Sequence, residues 1–464
     1  MNISDTLPII PKIAEYLYTN ITLPRVSPEY TPKSILPSIP SRNDILIRVW
    51  EILASVHPNY YAISLVFSCV AIFCYIKIRY PFWNTQPVVH TYDYLRKWFY
   101  TTPVILFKNP FKTRFYDPKQ VVTRDYQRLS TDDIKSVCEF LNAHYIPTDR
   151  LLSTITEKTL SLYLSGHNAS SYISIHREID GTITGACASR LSCFYWYSSY
   201  TSTIASDGKS SPEYFTPLEM YWLDFVTIRR NFNQTHIAER LLQTHEYNIR
   251  IMNPKIAVSM FKKEGDLCEC VVPFVEYTTS TFYMRNVKVD PLPPDFILSR
   301  VTKTNLDILH DIYHILTHPG DGVRKMMAGC ILPDIGHIQS LIISSQMYLF
   351  CLKKKGHIYG IYWFKDMNIH YEDLDGKTLG LVASFQNTES PDIFMVGFTH
   401  SLRQILLETP DYRILSIYDI GHTTTLLSNW RVYNHTILET PCALYFYNYM
   451  VPNIPILSRD LFIL

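Results

Sequence analysis

His310, His314 and His318 fall at i, i+4 and i+8 in a stretch of helical periodicity, a spacing that stacks imidazoles on one helix face and could hold zinc. The zinc-protease pattern needs a glutamate where Asp311 stands, and Pro319-Gly320 ends the helix at once, so the sequence favours a structural helix. A second chemical feature is the β-type run Leu223 to Arg230, which passes through Asn231 to Asn233 into a helix opening at Gln234. The free N–H groups and dipole of a helix start favour an anion, and Arg229 and Arg230 lie just upstream. The last residues, Phe462, Ile463 and Leu464, have the composition of a buried strand. Ten scattered cysteines without a Cys-x-x-Cys pair fit reduced thiols better than a zinc ribbon. Fifteen glycines, with no Walker or Rossmann pattern, leave little for glycine-rich phosphate loops.

These features sit in a chain of 464 residues, 47% hydrophobic and 14% aromatic, enough for two or three domains with a sizeable core. Its 43 basic and 42 acidic side chains nearly cancel, so charge calls for no nucleic-acid partner and a small molecule or peptide fits better. Seven prolines within residues 1–45 predict an extended arm. Tyr60 to Ile76 carries no charge before Lys77 and reads as a single transmembrane helix over residues 59–78. Lys77 and Arg79, with Arg96 and Lys97, place the larger C-terminal part in the cytosol by the positive-inside rule, and the alternative is a buried helix of a cytoplasmic protein. The triplets at Asn2, Asn20 and Asn168 leave a luminal orientation open.

Beyond residue 100 the pattern is α/β. A helix over Asp132 to His144 precedes strands at Tyr172 to Arg177 and Thr182 to Ser189, joined across Asp180-Gly181. The order recurs later as a helix over Asn305 to Thr317, then strands Met347 to Lys353 and His357 to Phe364 joined across Lys355-Gly356. This repetition predicts an internal duplication with a boundary near Asp290 to Pro294. The domain reading is an arm over 1–58, a membrane helix over 59–78, and two halves over 79–290 and 291–464.

Phe82-Trp83-Asn84-Thr85-Gln86-Pro87-Val88 and the closing Tyr447-Asn448-Tyr449 with Pro452 make the chain resemble a diverged N-myristoyltransferase. The first stretch is similar to that family's F-W-x-T-Q-P-V, with Asn84 where Asp is usual. The second resembles Y-N-W-x-x-P, and sixteen residues from Tyr449 reach Leu464, as in the family. Leu223 to Ala238 matches without a gap the family's strand F-L-C-V-H-K-K-L-R and helix opening S-K-R-L-A, which puts Phe225 and Val226 at the oxyanion-hole positions.

The resemblance implies two tandem GNAT-type acyltransferase units forming one catalytic region. It implies transfer of a myristoyl group from myristoyl-CoA to the N-terminal glycine amine of a protein by direct attack on the thioester, with no metal and no cofactor beyond that co-substrate. The first half would bind acyl-CoA and the second the peptide. The α-carboxylate of Leu464 would be the base, with Phe462 and Ile463 as apolar surroundings that raise its pKa. Tyr80, Phe82 and Trp83 would lie over the coenzyme. Its pyrophosphate would meet the helix start at Gln234, Thr235, His236, Ile237 and Ala238, with Arg229 and Arg230 nearby. Asp149, Ser384, Asp419 and Glu439 would face the peptide.

Several positions depart from the family. Thr235-His236 replace a Lys-Arg pair, Asp149 is what remains of an acidic run, and Leu438 and Thr440 stand where the family has glycines, so coenzyme affinity and peptide choice are expected to differ. The competing reading is a membrane-anchored relative that keeps an acyl-CoA or peptide groove without catalysis.

Overall fold

The computed structural model describes residues 58–93, 102–146, 151–197, 217–232, 234–284, 287–320, 323, 327–372, 376–387, 390–452 and 454–464. Its strands are β1 (Val104–Ile105), β2 (Val121–Asp125), β3 (Leu151–Ser153), β4 (Tyr172–Arg177), β5 (Ile183–Trp196), β6 (Leu218–Ile228), β7 (Ser259–Glu264), β8 (Val275–Tyr283) and β9 (Phe296–Arg300). They continue as β10 (Gly329–Leu332), β11 (Met347–Lys354), β12 (His357–Tyr371), β13 (Gly376–Gln386), β14 (Tyr412–Tyr418), β15 (Thr436–Tyr447), β16 (Tyr449–Met450) and β17 (Leu461–Ile463). The helices used below are α1 (Pro58–Arg79), α2 (Thr131–His144), α3 (Glu157–Leu164), α4 (Gln234–Met252), α5 (Asp307–Thr317), α6 (Ile335–Ile343), α7 (Pro391–Glu408) and α8 (Thr423–Tyr433).

One order of strands and helix occurs twice in the pairing. β4, β5 and β6 form an antiparallel meander, α4 crosses over, and β7 returns parallel to β6. β11, β12, β13, α7 and β14 repeat that order, again with a parallel return. The closing strands are exchanged between the halves. β8 pairs with β14, β15 pairs with β7, and β8 and β15 pair with each other, so one 15-stranded sheet runs through both halves. The Lys355-Gly356 turn has φ of 49° and 82°, the left-handed pair that a two-residue hairpin requires.

β5 is buried over its first twelve residues because both faces are covered. On one face Ala186 and Ala188 pack with Val137 and Leu141 of α2 and Leu160 of α3. Ser130 caps the first of these helices and Thr156 closes a capping box on the second, which fixes where both begin. On the other face, His245 of α4 bonds Ser174 at 2.7 Å and Ser189 at 2.6 Å. Gly185 is what lets α4 come this close, since a Cβ there would stand 3.1 Å from Ile237 Cγ2.

The chain divides into two compact units, Met1–Cys74 and Tyr75–Leu464. The expected apolar stretch does form a helix, α1, of 22 residues. No helix among the described residues is long and apolar enough to cross a membrane, so the transmembrane span over 59–78 is not supported. Ser64, Ser68 and Tyr75 interrupt its apolar run, and Lys77 and Arg79 fall inside its last turn, whereas the sequence reading had treated them as flanks. The proline-rich arm lies outside the described residues.

Candidate functional site

A β-bulge with a left-handed residue lies where the sequence drew attention. Ala186 pairs with Thr227 and Ala188 with Asp224, so Phe225 and Val226 together stand opposite Cys187 in a β-bulge. Phe225 has φ of 53°, a left-handed conformation that costs a non-glycine residue about 1–2 kcal/mol. Its surroundings hold it there. Asp224 Oδ1 accepts the Phe225 N–H at 2.8 Å and the Tyr145 hydroxyl at 3.3 Å, while Oδ2 accepts the Tyr163 hydroxyl at 2.7 Å. The Phe225 ring packs against the rings of Tyr163 and Tyr145 at 5.0 and 5.5 Å. The Asp224 charge first and burial second hold the Tyr145 hydroxyl well above the usual phenol range, so it remains a donor. Of the two expected oxyanion positions, Phe225 therefore has its N–H engaged by Asp224; Val226, 39% exposed, follows it at the apex.

Behind the bulge, Phe225 closes an apolar cavity with Leu141, Leu160, Ile173, Ala186, Cys187 and Ala188. Its volume of about 10 Å³ holds about one water-sized sphere, so a fatty chain enters only if these side chains move apart. The second half carries its own irregularity at the matching strand pair, β12 and β13, between Trp363 and Phe364, where Val382 is the extra residue. Neither Trp363, Phe364 nor Val382 is left-handed, whereas Asn368, at a second register break between Asp366 and His370 of the same pair, has φ of 52°.

Beyond β6, α4 starts at Gln234 with Gln234, Thr235 and His236 exposed, Ile237 buried and Ala238 partly buried. His236 Nε2 lies 3.3 Å from Arg240, which is held by Asp117 and Gln120 at 2.8 Å each. The two arginines upstream are tied to carbonyls. Arg229 Nε donates to Ile183 O at 2.8 Å, and Arg230 donates to Ile146 O. Arg229 also lines an open cleft of about 390 Å³ with Glu139, Phe140, His144 and Arg177. Burial, then Arg229 and Arg230, lower the His144 pKa and favour its neutral form.

The two short motifs at opposite ends of the chain meet. Tyr447 Oη donates to Gln86 Oε1 at 2.9 Å, and the Asn448 N–H donates to Pro87 O at 2.6 Å. Gln86 also donates to Gln243 at 3.1 Å, which ties both motifs to α4. Trp83 stacks on Phe261 at 5.6 Å, Phe82 is buried against Phe115, and Tyr80 Oη donates to Glu269 at 3.1 Å.

β17 forms the edge of the sheet on the β5 side, parallel to β10, which pairs with β5, and the Leu464 N–H donates to Ile331 O at 3.0 Å. Phe462 packs on Trp363 at 5.3 Å and Leu464 is half-buried beside the same core. Gly421 admits this strand, and Gly329 of β10 admits the neighbouring β5. A Cβ on Gly421 would stand 2.6 Å from Leu461 O, and one on Gly329 2.6 Å from Tyr195 O.

The expected peptide-side residues are dispersed. Asp149 lies outside the described residues. Ser384 is buried and bonds Thr423 at 3.0 Å, Glu439 pairs with Arg431 at 2.7 Å, and Asp419 has its Oδ1 buried without a partner. His310 lies 3.0 Å from Gln339 Nε2, and among the described residues no group of histidine, cysteine and acidic side chains could hold a metal.

Sequence reasoning passed over the charged cluster beside the bulge. Arg190 and Lys365 lie 4.9 and 5.3 Å from the Tyr163 ring, and Lys262 lies 4.4 Å from the Tyr418 ring. His167 and His337 stack at 4.2 Å, and burial, with Arg190 adding to it, pushes them down to about 4 and about 2, so both are neutral. A lone Arg in an alternating strand was the available signal, since Arg190 interrupts small and apolar residues on β5.

No protein-family model matches the chain, and no curated protein matches it in sequence. Solved structures do. A structure of Saccharomyces cerevisiae N-myristoyltransferase with bound myristoyl-CoA superposes with a TM-score of 0.59, covering 82% of this chain and 94% of that one at 10% identity. The chain has the N-myristoyltransferase fold. A second structure of the yeast enzyme with myristoyl-CoA gives 0.60 over 81% and 89% at 9% identity, and one with inhibitors as well gives 0.58 over 82% and 91% at 9%. At this identity the likeness is one of fold, consistent with the mixed α/β sheet and its repeated unit.

Proposed function

We propose that the protein is an acyltransferase that moves a fatty acyl group, myristoyl in the first instance, from its coenzyme A thioester to the α-amine of an N-terminal glycine. The observation that carries this reading is the Phe225–Val226 bulge, set between an apolar cavity and the start of α4. In this arrangement the chain enters the cavity, the thioester carbonyl lies at the bulge, and the pyrophosphate meets the helix start with its free N–H groups. The amine attacks the carbonyl carbon, the Val226 N–H stabilises the resulting oxyanion, and the bond to sulfur breaks as coenzyme A leaves. One such donor is worth about 2.7–4 kcal/mol.

The proton of the glycine ammonium needs an acceptor, and the α-carboxylate of Leu464 is the base in this proposal. A free α-carboxylate near ~3.5 is a poor match for an amine near ~8, a gap of roughly 6 kcal/mol, so apolar surroundings such as Phe462 must raise it. The test is to incubate the protein with myristoyl-CoA and a glycine-starting peptide, using an N-acetylated peptide as control, and to weigh the product by mass spectrometry. Val226→Pro should lower kcat by about 100-fold or more.

A second reading, binding of acyl-CoA without transfer, is favoured by the engaged Phe225 N–H and the closed cavity. Tight acyl-CoA binding with no acylated peptide would select it.

A further inference from the structure

We propose that the face of β5 beyond the bulge is a carboxylate-binding subsite formed by Arg190 and Lys365, so that the acceptor amine belongs to a molecule carrying a carboxylate close to that amine. This rests on the acyl-transfer reading above. Ala186, Ala188 and Arg190 are at i, i+2 and i+4 of one strand and share a face. The first two line the apolar cavity, and Arg190, only 6% exposed, continues the same row about 7 Å further on. A group held there is within one or two residues of an amine attacking at the bulge.

Arg190 is incompletely satisfied. Its Nε is buried without a hydrogen-bond partner, Nη1 is 3.5 Å from Leu191 O, and the neutral Tyr163 hydroxyl is the other group its guanidinium reaches. Arg190 and Lys365 share the Tyr163 ring, and among the described residues neither forms an ion pair. The acids around them are committed elsewhere. Asp224 serves Tyr145, Tyr163 and the Phe225 N–H, and Asp334 takes the Asn168 N–H at 2.8 Å and its amide at 3.0 Å. Asp366 accepts the Asn368 N–H at 2.8 Å, and Glu264 pairs with Lys262. Burial, opposed by the Asp224 charge and reinforced by Arg190 and Lys262, pushes the Lys365 amine down to about 8. A buried guanidinium without its own anion is costly until a ligand completes it, and its planar fork suits a carboxylate. That carboxylate is either an acidic side chain next to the N-terminal glycine or the acceptor's own α-carboxylate.

The test uses the full chain with myristoyl-CoA and C-terminally amidated peptides beginning Gly-Asp, Gly-Asn or Gly-Lys, together with free glycine. Gly-Asp should exceed Gly-Asn in kcat/KM by ~10-fold or more, the discrimination one charge-assisted contact supplies. Gly-Lys should be poorer still. Preferential acylation of free glycine would assign the subsite to the acceptor's own carboxylate. Arg190→Gln and Lys365→Met should each bring the Gly-Asp to Gly-Asn ratio toward one. A parent ratio near one, a preference for Gly-Lys, or a ratio unmoved by both variants overturns the proposal. Should no acceptor be acylated, the transfer reading alone fails, and equilibrium binding of the same peptides to the acyl-CoA complex decides the subsite. Selective Gly-Asp binding lost in Arg190→Gln supports it, and equal binding of all three peptides overturns it. Melting curves report whether each variant folds, and Lys365→Met decides if Arg190→Gln does not.

Discussion

Replacing Phe225 by alanine and by glycine separates two energies that the bulge combines. Both changes remove the ring from Tyr145 and Tyr163, contacts at 5.5 and 5.0 Å worth about 0.5–1.5 kcal/mol each beyond burial. Both also lose about 1.5–3 kcal/mol for the partly buried side chain. Only glycine removes the left-handed strain at φ 53°, which is worth about 1–2 kcal/mol, against about 0.5–1 kcal/mol of added chain entropy. Phe225→Gly should therefore be more stable than Phe225→Ala by about 0.5–1 kcal/mol, with alanine about 2.5–6 kcal/mol below the parent. Urea denaturation of the three proteins at one pH measures this directly. Alanine equal to or above glycine would mean that the backbone at Phe225 carries no strain, and the built character of the bulge would fall with it.

Glu246 is fully buried on α4 beside Ser259 and Arg250, and burial raises its carboxyl to about 7. The folded state then holds a proton that the unfolded chain releases near ~4.5, so stability falls as pH rises from there to about 7, by at most about 3 kcal/mol. Glu246→Gln should remove that slope and be the more stable protein at pH 8, read from denaturation midpoints across pH. Gly421→Ala adds a Cβ 2.6 Å from Leu461 O at a position of φ 58°, so it should displace the terminal strand and lower both stability and any transfer activity; unchanged melting and turnover would show that the strand's seat is unimportant. Adding two residues after Leu464 turns its carboxylate into a peptide bond and should abolish transfer while acyl-CoA binding persists. Transfer at the parental rate would exclude that carboxylate as the base.

The elements were legible where local chemistry dictates them. The expected helix from Asp132 is α2, the strands from Tyr172 and Met347 are β4 and β11, and Lys355-Gly356 makes the hairpin its residue types demand. The order of helix and hairpin read twice in the sequence recurs as two meanders in the pairing. Less visible was the exchange of β8 and β15 between the halves, since pairing between positions more than a hundred residues apart leaves no local periodicity. The apolar window over 59–78 was legible as a helix, α1, but no helix among the described residues is long and apolar enough to cross a membrane.

The site divides in the same way. Sequence by itself marked the strand through Phe225, the helix start at Gln234, and the motifs at Phe82 and Tyr447, since each is a contiguous run of distinctive residues. Tertiary structure alone decided that Asp224 engages the Phe225 N–H, that Tyr447 reaches Gln86, and that Arg190 and Lys365 share one ring. Those are properties of side chains brought together from distant positions. Whether a charge is paired or orphaned depends on burial and on neighbours that no linear spacing records.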